Sequence, residues 1–430
     1  MHATPQHEAL LAWLRAHGAS FGKLAVGLHD GERGIVAGAP IEKGERVLSV
    51  PRPLVLTLGV ASASGVGQAI AASLAAADGT DGILAAFLLH ERADPRSFWK
   101  PYLDMLPASL PTFPLFFEAR ELDLLRGSSA LDTIAERRAR LREEHSLLRE
   151  LVPALADLSL ADYSWARAVV TSRNFGVKID GHKTRCMVPL ADLLNHGTLH
   201  EVGWSWSQER EAFELRALRA VPEGAPIRNS YGAKCNRRFF VNYGFAPEDP
   251  ARDEAELRLA TPTDPARRRA ASCPPGETAR TFPIGPAIEE ESIPRLLAFL
   301  RIACAAPHEV QPAGLRQGPV SLANETRALC AVAAACEQRL DLFATTLEED
   351  EALLLDPALS SNERACIVVR RGEKRVLRRH VALATRALQI LASDLLSATS
   401  LSEGQPPHSL CAAALAAVKA AAALSAGTRS

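Results

Sequence analysis

The chain has 430 residues, 47% hydrophobic and 23% charged, with 49 Lys and Arg against 50 Asp and Glu. At roughly 100–200 residues per domain, this length allows two or three domains with cores of their own, and the composition excludes a fibrous or wholly disordered chain. A formal net charge of −1 excludes a globally basic nucleic-acid coat.

In chain order, the first predicted element is a helix over 8–17, with Leu10, Leu11, Trp13 and Leu14 apolar and Gly18 as its stop. The period then changes. Gly34–Ala37 and Arg46–Val50 read as short strands of one small β unit, with a turn at Lys43-Gly44 and an end at Pro51 and Pro53. From about 61 to 152 the pattern is helical, most clearly over Ile83–His90 and Ala130–Leu151, with Pro101, Pro107, Pro111 and Pro114 between them. β character returns at Val188–Leu190, Val202–Trp206, Phe213–Leu218 and Ile227–Tyr231. A Pro/Arg/Ser-rich connection over 261–286 leads into a second helical region from about Ile293.

Several chemistries are excluded or disfavoured. The cysteines at 186, 235, 273, 304, 330, 336, 366 and 411 stand singly, with no Cys-x-x-Cys pair. That argues against a zinc ribbon or disulfide framework and fits a reducing compartment. The N-terminus has no basic leader before an apolar core, and the apolar stretch Leu410–Leu424 is mostly Ala and holds Lys419. It reads as a packing helix rather than a membrane span, and the expected location is cytoplasmic. Gly65-Val66-Gly67 lacks the third glycine of a dinucleotide fingerprint, and no P-loop, His-Glu-x-x-His or Gly-x-Ser-x-Gly is present. His196 and His200 flank Gly197 in a predicted loop, so no helical metal pair is expected. Arg364–His380 holds seven Lys and Arg against one acid. Without interleaved aromatics it reads as a solvated helix face, and no nucleic-acid partner is expected.

One window concentrates unusual residues: Asn229-Ser230-Tyr231-Gly232, then Asn242-Tyr243-Gly244-Phe245. Upstream stand Ala191-Asp192-Leu193-Leu194-Asn195-His196 and Thr171-Ser172-Arg173-Asn174-Phe175. Taken singly, each piece could be a turn, a capped loop or a helix end.

In this order and spacing they resemble the SET-domain protein methyltransferases of the class that includes the Rubisco large-subunit lysine methyltransferase and the actin-histidine methyltransferase. The resemblance covers nearly the whole chain. Gly31–Ala37 matches the first SET hairpin, and Ser97-Phe98-Trp99-Lys100-Pro101-Tyr102-Leu103 matches the helical insertion particular to this class. Residues after about 255, including Arg371-Gly372-Glu373-Lys374-Arg375, are similar to its substrate-binding domain. The resemblance implies an α+β fold of small curved sheets with a threaded segment after Asn195-His196. It divides the chain into 1–60, the first part of the SET domain; 61–164, the helical insertion; 165–250, the second part; and 255–430, an all-α substrate-binding domain.

The resemblance further implies S-adenosylmethionine as cofactor, no metal, and a protein substrate for an enzyme expected to be a monomer. Glu32, Arg33 and Gly34 would contact the cofactor through backbone, although the family often has Gly where Glu32 stands. Arg173 would face its methionine end, Asp192, Asn195 and His196 would line the adenosine, and Tyr243, Gly244 and Phe245 would close the pocket. Tyr231 and Tyr243 are the implied catalytic pair. Lysine is the expected target because the histidine branch carries Asn and Trp where this chain has Phe175 and Ala191. An aromatic wall at Phe175 suits a long aliphatic stem. The alternatives are a histidine target and a catalytically silent protein-binding module.

Overall fold

The computed structural model describes residues 4–29, 31–74, 80–286, 292–309 and 321–398. The helix expected over 410–424 lies outside them. The chain forms two compact units. One comprises Met1–Phe116 with Ala135–Lys234, and the other Phe117–Ile134 with Cys235–Ser430. Phe117–Ile134, from within the expected insertion, thus groups with the C-terminal part.

In the first unit the helix Pro5–Ala16 starts at Thr4, whose hydroxyl accepts from the His7 N–H while the His7 ring accepts from the Thr4 N–H. Such reciprocal caps satisfy donors that the first turn leaves unpaired. Leu10 and Leu14 form its buried stripe, and Gly18 ends it at φ +85°.

Ten strands follow among the described residues: β1 Leu24–His29, β2 Glu32–Ala37, β3 Arg46–Pro51, β4 Leu56–Thr57, β5 Asn174–Ile179, β6 His182–Met187, β7 Asn195–His196, β8 Val202–Ser207, β9 Ala212–Ala217 and β10 Pro226–Asn229. They make three small sheets, ordered β1-β2-β10-β7, β3-β9-β8 and β4-β6-β5. The sheets are antiparallel except where β10 runs parallel to β7, pairing Arg228 with Asn195 and Asn229 with His196. The expected β unit at 34–50 is therefore corrected. β2 pairs with β1 and β10, while β3 pairs with β9. β2 forms a local hairpin with β1 and offers its other edge to β10, while β3 joins a different sheet through β9. Strand β1 escaped notice because Gly27 interrupts it; a Cβ there would meet Val36 Cγ2 at 3.0 Å, so the glycine lets the hairpin close.

The expected strand at Val188–Leu190 is also corrected. β6 ends at Met187, and the chain turns at Leu190, with φ +71°, into a 3-10 turn at Ala191–Leu193. The apolar run is buried as a loop. Between the halves of the sheets run the helices Leu58–Ala63, Gly65–Leu74, Thr80–Ala93, Lys100–Leu103 and Leu160–Arg173. At Gly67 a Cβ would stand 1.9 Å from the Ala61 carbonyl, so the Gly-Val-Gly run serves close helix packing.

The second unit holds the helices Asn236–Tyr243, Ser292–Ala303, Leu322–Leu340, Leu347–Leu353 and Ser361–Ala398. It is not all helical. β11 Ala255–Ala260 and β12 Ala279–Ile284 form an antiparallel hairpin, corrected from a connection because Ala255, Leu257, Phe282 and Ile284 alternate inward. The expectation of a solvated face over Arg364–His380 fails as well. Arg370, Glu373, Lys374 and His380 are buried. Fully buried Asp350 accepts from Arg370 Nε at 2.8 Å and Lys374 Nζ at 2.6 Å. Glu373 accepts from both hydroxyls and one N–H of Ser128 and Ser129. Paired charges can be buried, and these cations cover an acid that the helical pattern alone does not reveal. Among the described residues, no group of three or more His, Cys, Asp or Glu could hold a metal, and no helix is long and apolar enough to cross a membrane.

Candidate active site

The site of the first unit is assembled where the helix Leu160–Arg173, the 3-10 turn Ala191–Leu193 and strands β2, β7 and β10 converge. Arg173 is the last helical residue, and Asn174 Nδ2 caps the helix on the Val170 carbonyl at 2.6 Å before β5 begins. This fixes where the Arg173 side chain emerges. Arg173 Nη1 donates to the Asp192 carbonyl at 2.8 Å and lies 3.4 Å from Asp192 Oδ2. The Asp192 carboxylate is almost wholly enclosed, and it also accepts from the Tyr102 hydroxyl at 2.9 Å. Burial raises the Asp192 carboxyl above its ordinary range, with the Arg173 charge and the Tyr102 hydrogen bond opposing. The Tyr102 hydroxyl is pushed well up, by burial first and the Asp192 charge second.

Arg33, on β2, brings a second guanidinium. Desolvation and the neighbouring Arg173 cation hold it below its usual range, while Asp192 opposes them. Two cations therefore share one carboxylate. Arg173 Nε and Asp192 Oδ1 are both buried with no hydrogen-bond partner in the chain. A buried charged donor without a partner is costly, which makes this a place for an anionic ligand group.

Asn195 Nδ2 donates to the Arg33 carbonyl at 3.2 Å, tying β7 to β2. Gly34 permits this approach, since a Cβ there would lie 2.9 Å from Asn195 Nδ2. Glu32 is exposed at the start of β2. Next to Asn195, His196 Nδ1 accepts from the Tyr231 N–H at 3.1 Å, which puts the proton of the neutral ring on Nε2. The Tyr231 hydroxyl donates to the Leu194 carbonyl at 2.8 Å, and its ring stands 5.3 Å from that of His196. Lys234 Nζ donates to the Tyr231 carbonyl.

The expected site residues thus fall into three groups. Arg33, Gly34, Arg173, Asp192, Asn195, His196 and Tyr231 are linked by contacts in the first unit, with Glu32 at the edge. Phe175 and Ala191 are buried in its hydrophobic core, Phe175 with its ring 5.0 Å from Phe213 and 5.6 Å from Trp204. Tyr243, Gly244 and Phe245 belong to the second unit. There Tyr243 ends a helix that Gly244 caps at φ +77°, and Phe239, Tyr243 and Phe245 form an aromatic cluster with centroids 5.4–6.3 Å apart. Tyr102 and the Leu194 carbonyl were not singled out from the sequence. The Trp99–Leu103 segment signalled an element, but only folding shows which atom its tyrosine reaches.

Residues 265–377 match the family described as Rubisco LSMT substrate-binding. The chain is 26% identical over 421 residues to an actin-histidine N-methyltransferase of Gallus gallus, covering 91% of this chain and 70% of that protein. It is 28% identical over 401 residues to an actin-histidine N-methyltransferase of Mus musculus, covering 86% and 67%. Its fold is similar to the SET domain of LSMT bound to lysine and AdoHcy, with a TM-score of 0.79 and 23% identity over 90% of this chain and 93% of that one. It is also similar to Rubisco LSMT bound to sinefungin and monomethyllysine, with a TM-score of 0.78 and 24% identity over 91% and 94%. This chain therefore has the fold of the SET-domain enzyme LSMT, and its sequence is similar to actin-histidine N-methyltransferases over most of its length.

Proposed function

We propose that the protein is an S-adenosylmethionine-dependent protein N-methyltransferase whose target is a histidine side chain. The observation that carries the cofactor reading is the pair Arg33 and Arg173 around Asp192, with a buried Arg173 Nε left without a partner in the chain. An anionic amino-acid end suits that surplus of positive charge. Asn195, His196 and the backbone of Glu32–Gly34 would hold the adenosine side. The bound cofactor supplies a methyl group on a sulfonium for in-line displacement by a nitrogen lone pair.

The chain's own task is then orientation. The Tyr231 hydroxyl gives its proton to the Leu194 carbonyl, so toward any other group its oxygen can act only as an acceptor. From that position it can hold the N–H of the target and keep the lone pair aimed at the methyl carbon. The nitrogen that takes the methyl carries no proton of its own, so the methylated imidazolium would release the proton of its other ring nitrogen to solvent, and the cofactor would leave as a neutral thioether. Positioning of this kind accounts for much of the acceleration in such displacements. A histidine needs little help to be neutral, since its ordinary pKa is about 6.5, against about 10.4 for lysine.

Histidine is favoured because the actin-histidine methyltransferases match 86–91% of this chain. The lysine expectation rested on Phe175 and Ala191, and both side chains are engaged in core packing. Lysine stands as a second reading on one observation, the fold likeness to enzymes bound to lysine and monomethyllysine. The test has two steps. A thermal shift with S-adenosylmethionine or S-adenosylhomocysteine is expected, because a ligand that binds only the native state stabilises it. Mass spectrometry of proteins methylated in lysate should then place the methyl on histidine. Modification confined to lysine would overturn the target assignment, and absence of any shift would overturn the enzyme.

A further inference from the structure

The short helix Lys100–Leu103 lies inside the helical insertion, far in sequence from the site motifs, yet its tyrosine reaches them. Tyr102 is 1% exposed, beside buried Trp99 and Leu103. Its hydroxyl donates to Asp192 Oδ2 at 2.9 Å, the same oxygen that lies 3.4 Å from Arg173 Nη1. Arg173 Nη1 is also held by the Asp192 carbonyl at 2.8 Å. The guanidinium is therefore anchored at one end, and its Nε remains without a partner in the chain. We propose that Tyr102 is a positioning residue: by holding the Asp192 carboxylate, it sets the Arg173 guanidinium to receive the carboxylate end of the cofactor.

The physical reason lies in the competition for Arg173. A buried carboxylate needs donors, and Asp192 has one neutral donor and one contacting cation, with Arg33 acting on it through charge alone. Without the Tyr102 hydroxyl, Asp192 draws Arg173 more fully onto itself. The arginine is then turned away from the ligand anion. Tyr102 touches neither ligand nor reacting atoms in this arrangement, so its effect falls on one end of the cofactor alone.

This inference rests on the proposed cofactor, and two ligands separate it from that reading. S-adenosylhomocysteine carries the amino-acid end, and 5′-methylthioadenosine lacks it. Tyr102→Phe should weaken S-adenosylhomocysteine binding about tenfold in calorimetry, the scale of one lost hydrogen bond to a charged group. Binding of 5′-methylthioadenosine should stay within about twofold, because the ring and its packing are retained. In turnover assays the KM for the cofactor should rise while kcat at saturation holds. Equal weakening of both ligands, or of neither, would overturn the role of Tyr102 and leave the enzyme assignment intact. Failure of the unsubstituted protein to bind S-adenosylhomocysteine would overturn the assignment itself. Should Tyr102→Phe not fold, Tyr102→Met, which also removes the hydroxyl while filling much of the ring's volume, tests the same linkage. It should show the same loss confined to S-adenosylhomocysteine, and an equal loss for both ligands would again overturn the proposal.

Discussion

Tyr231 has its hydroxyl and its backbone tied to the loop that ends β6 and starts β7: the hydroxyl donates to Leu194 O, and the N–H donates to His196 Nδ1. The ring is therefore held by two contacts that do not depend on substrate. Removing the hydroxyl should leave the fold and cofactor affinity nearly unchanged while taking away the acceptor proposed to orient the target nitrogen. Tyr231→Phe is expected to lower kcat by about two orders of magnitude or more, with cofactor affinity within about twofold. Steady-state kinetics beside calorimetry checks this, and an unaltered kcat would remove Tyr231 from catalysis.

At the scale of elements, β2 and β7 are tied by Asn195 Nδ2 on the Arg33 carbonyl across a gap that only Gly34 leaves open. Gly34→Ala would place a methyl 2.9 Å from that nitrogen and displace the amide. It should weaken S-adenosylmethionine binding and cost about 1 kcal/mol of stability, the scale of one lost hydrogen bond, and Asn195→Ala should do likewise. Near-normal affinity in either folded variant would count against the pocket. In the second unit, the helix Ser361–Ala398 holds Arg370 and Lys374 against Asp350, all three buried. Asp350→Ala strands two buried cations and should cost about 3–5 kcal/mol in urea denaturation. Glu348→Ala, which breaks an exposed pair with Arg378, should leave the urea midpoint nearly unchanged. Similar costs for the two variants would refute the difference in burial.

Over the whole molecule, the 49 basic and 50 acidic side chains nearly cancel, so the response of stability to pH is set by individual buried groups. Asp253 is one of them. Burial raises its carboxyl from 3.8 to about 6, against the pull of the Asn236 hydrogen bond and the Arg375 and Arg371 charges, with Asp249 adding to the rise. Asn236 Nδ2 donates to it at 2.7 Å, and Gly372 passes so close that a Cβ would lie 2.2 Å from its oxygen. Between pH 3.8 and about 6 the folded protein holds this proton more often than the unfolded chain does. Stability contributed by this group is therefore lost as pH rises through that window and is constant above it. Two pKa units correspond to a cost of about 3 kcal/mol at neutral pH. Asp253→Asn should flatten the slope between pH 4 and 6 and raise stability at pH 7. Denaturant midpoints measured across that range check it, and an unchanged slope would exclude Asp253 as its source.

Much of this protein was legible in the residues themselves. The helix Pro5–Ala16 and the strands β8 to β10 follow from local signals: apolar period, capping residues, glycine and proline. The motifs around Arg173, Asn195, His196 and Tyr231 were legible because their chemistry is written in contiguous runs. Pairing was not. β2 and β3 look like one hairpin, but their partners β10 and β9 lie well over a hundred residues away, and no local period encodes such a choice. The charged run 364–380 reads as solvated because a pattern of cations does not tell whether an acid is buried beneath it; Asp350 and Glu373 supplied that answer. Phe175 shows the same limit, since an aromatic side chain suits a substrate wall or a core equally well until Phe213 and Trp204 stand against it. The sequence by itself carried the resemblance and the residues with chemistry to offer. Tertiary structure decided which of them meet, through contacts such as Tyr102 on Asp192 that join segments ninety residues apart, because desolvation and hydrogen bonding act on distance in space.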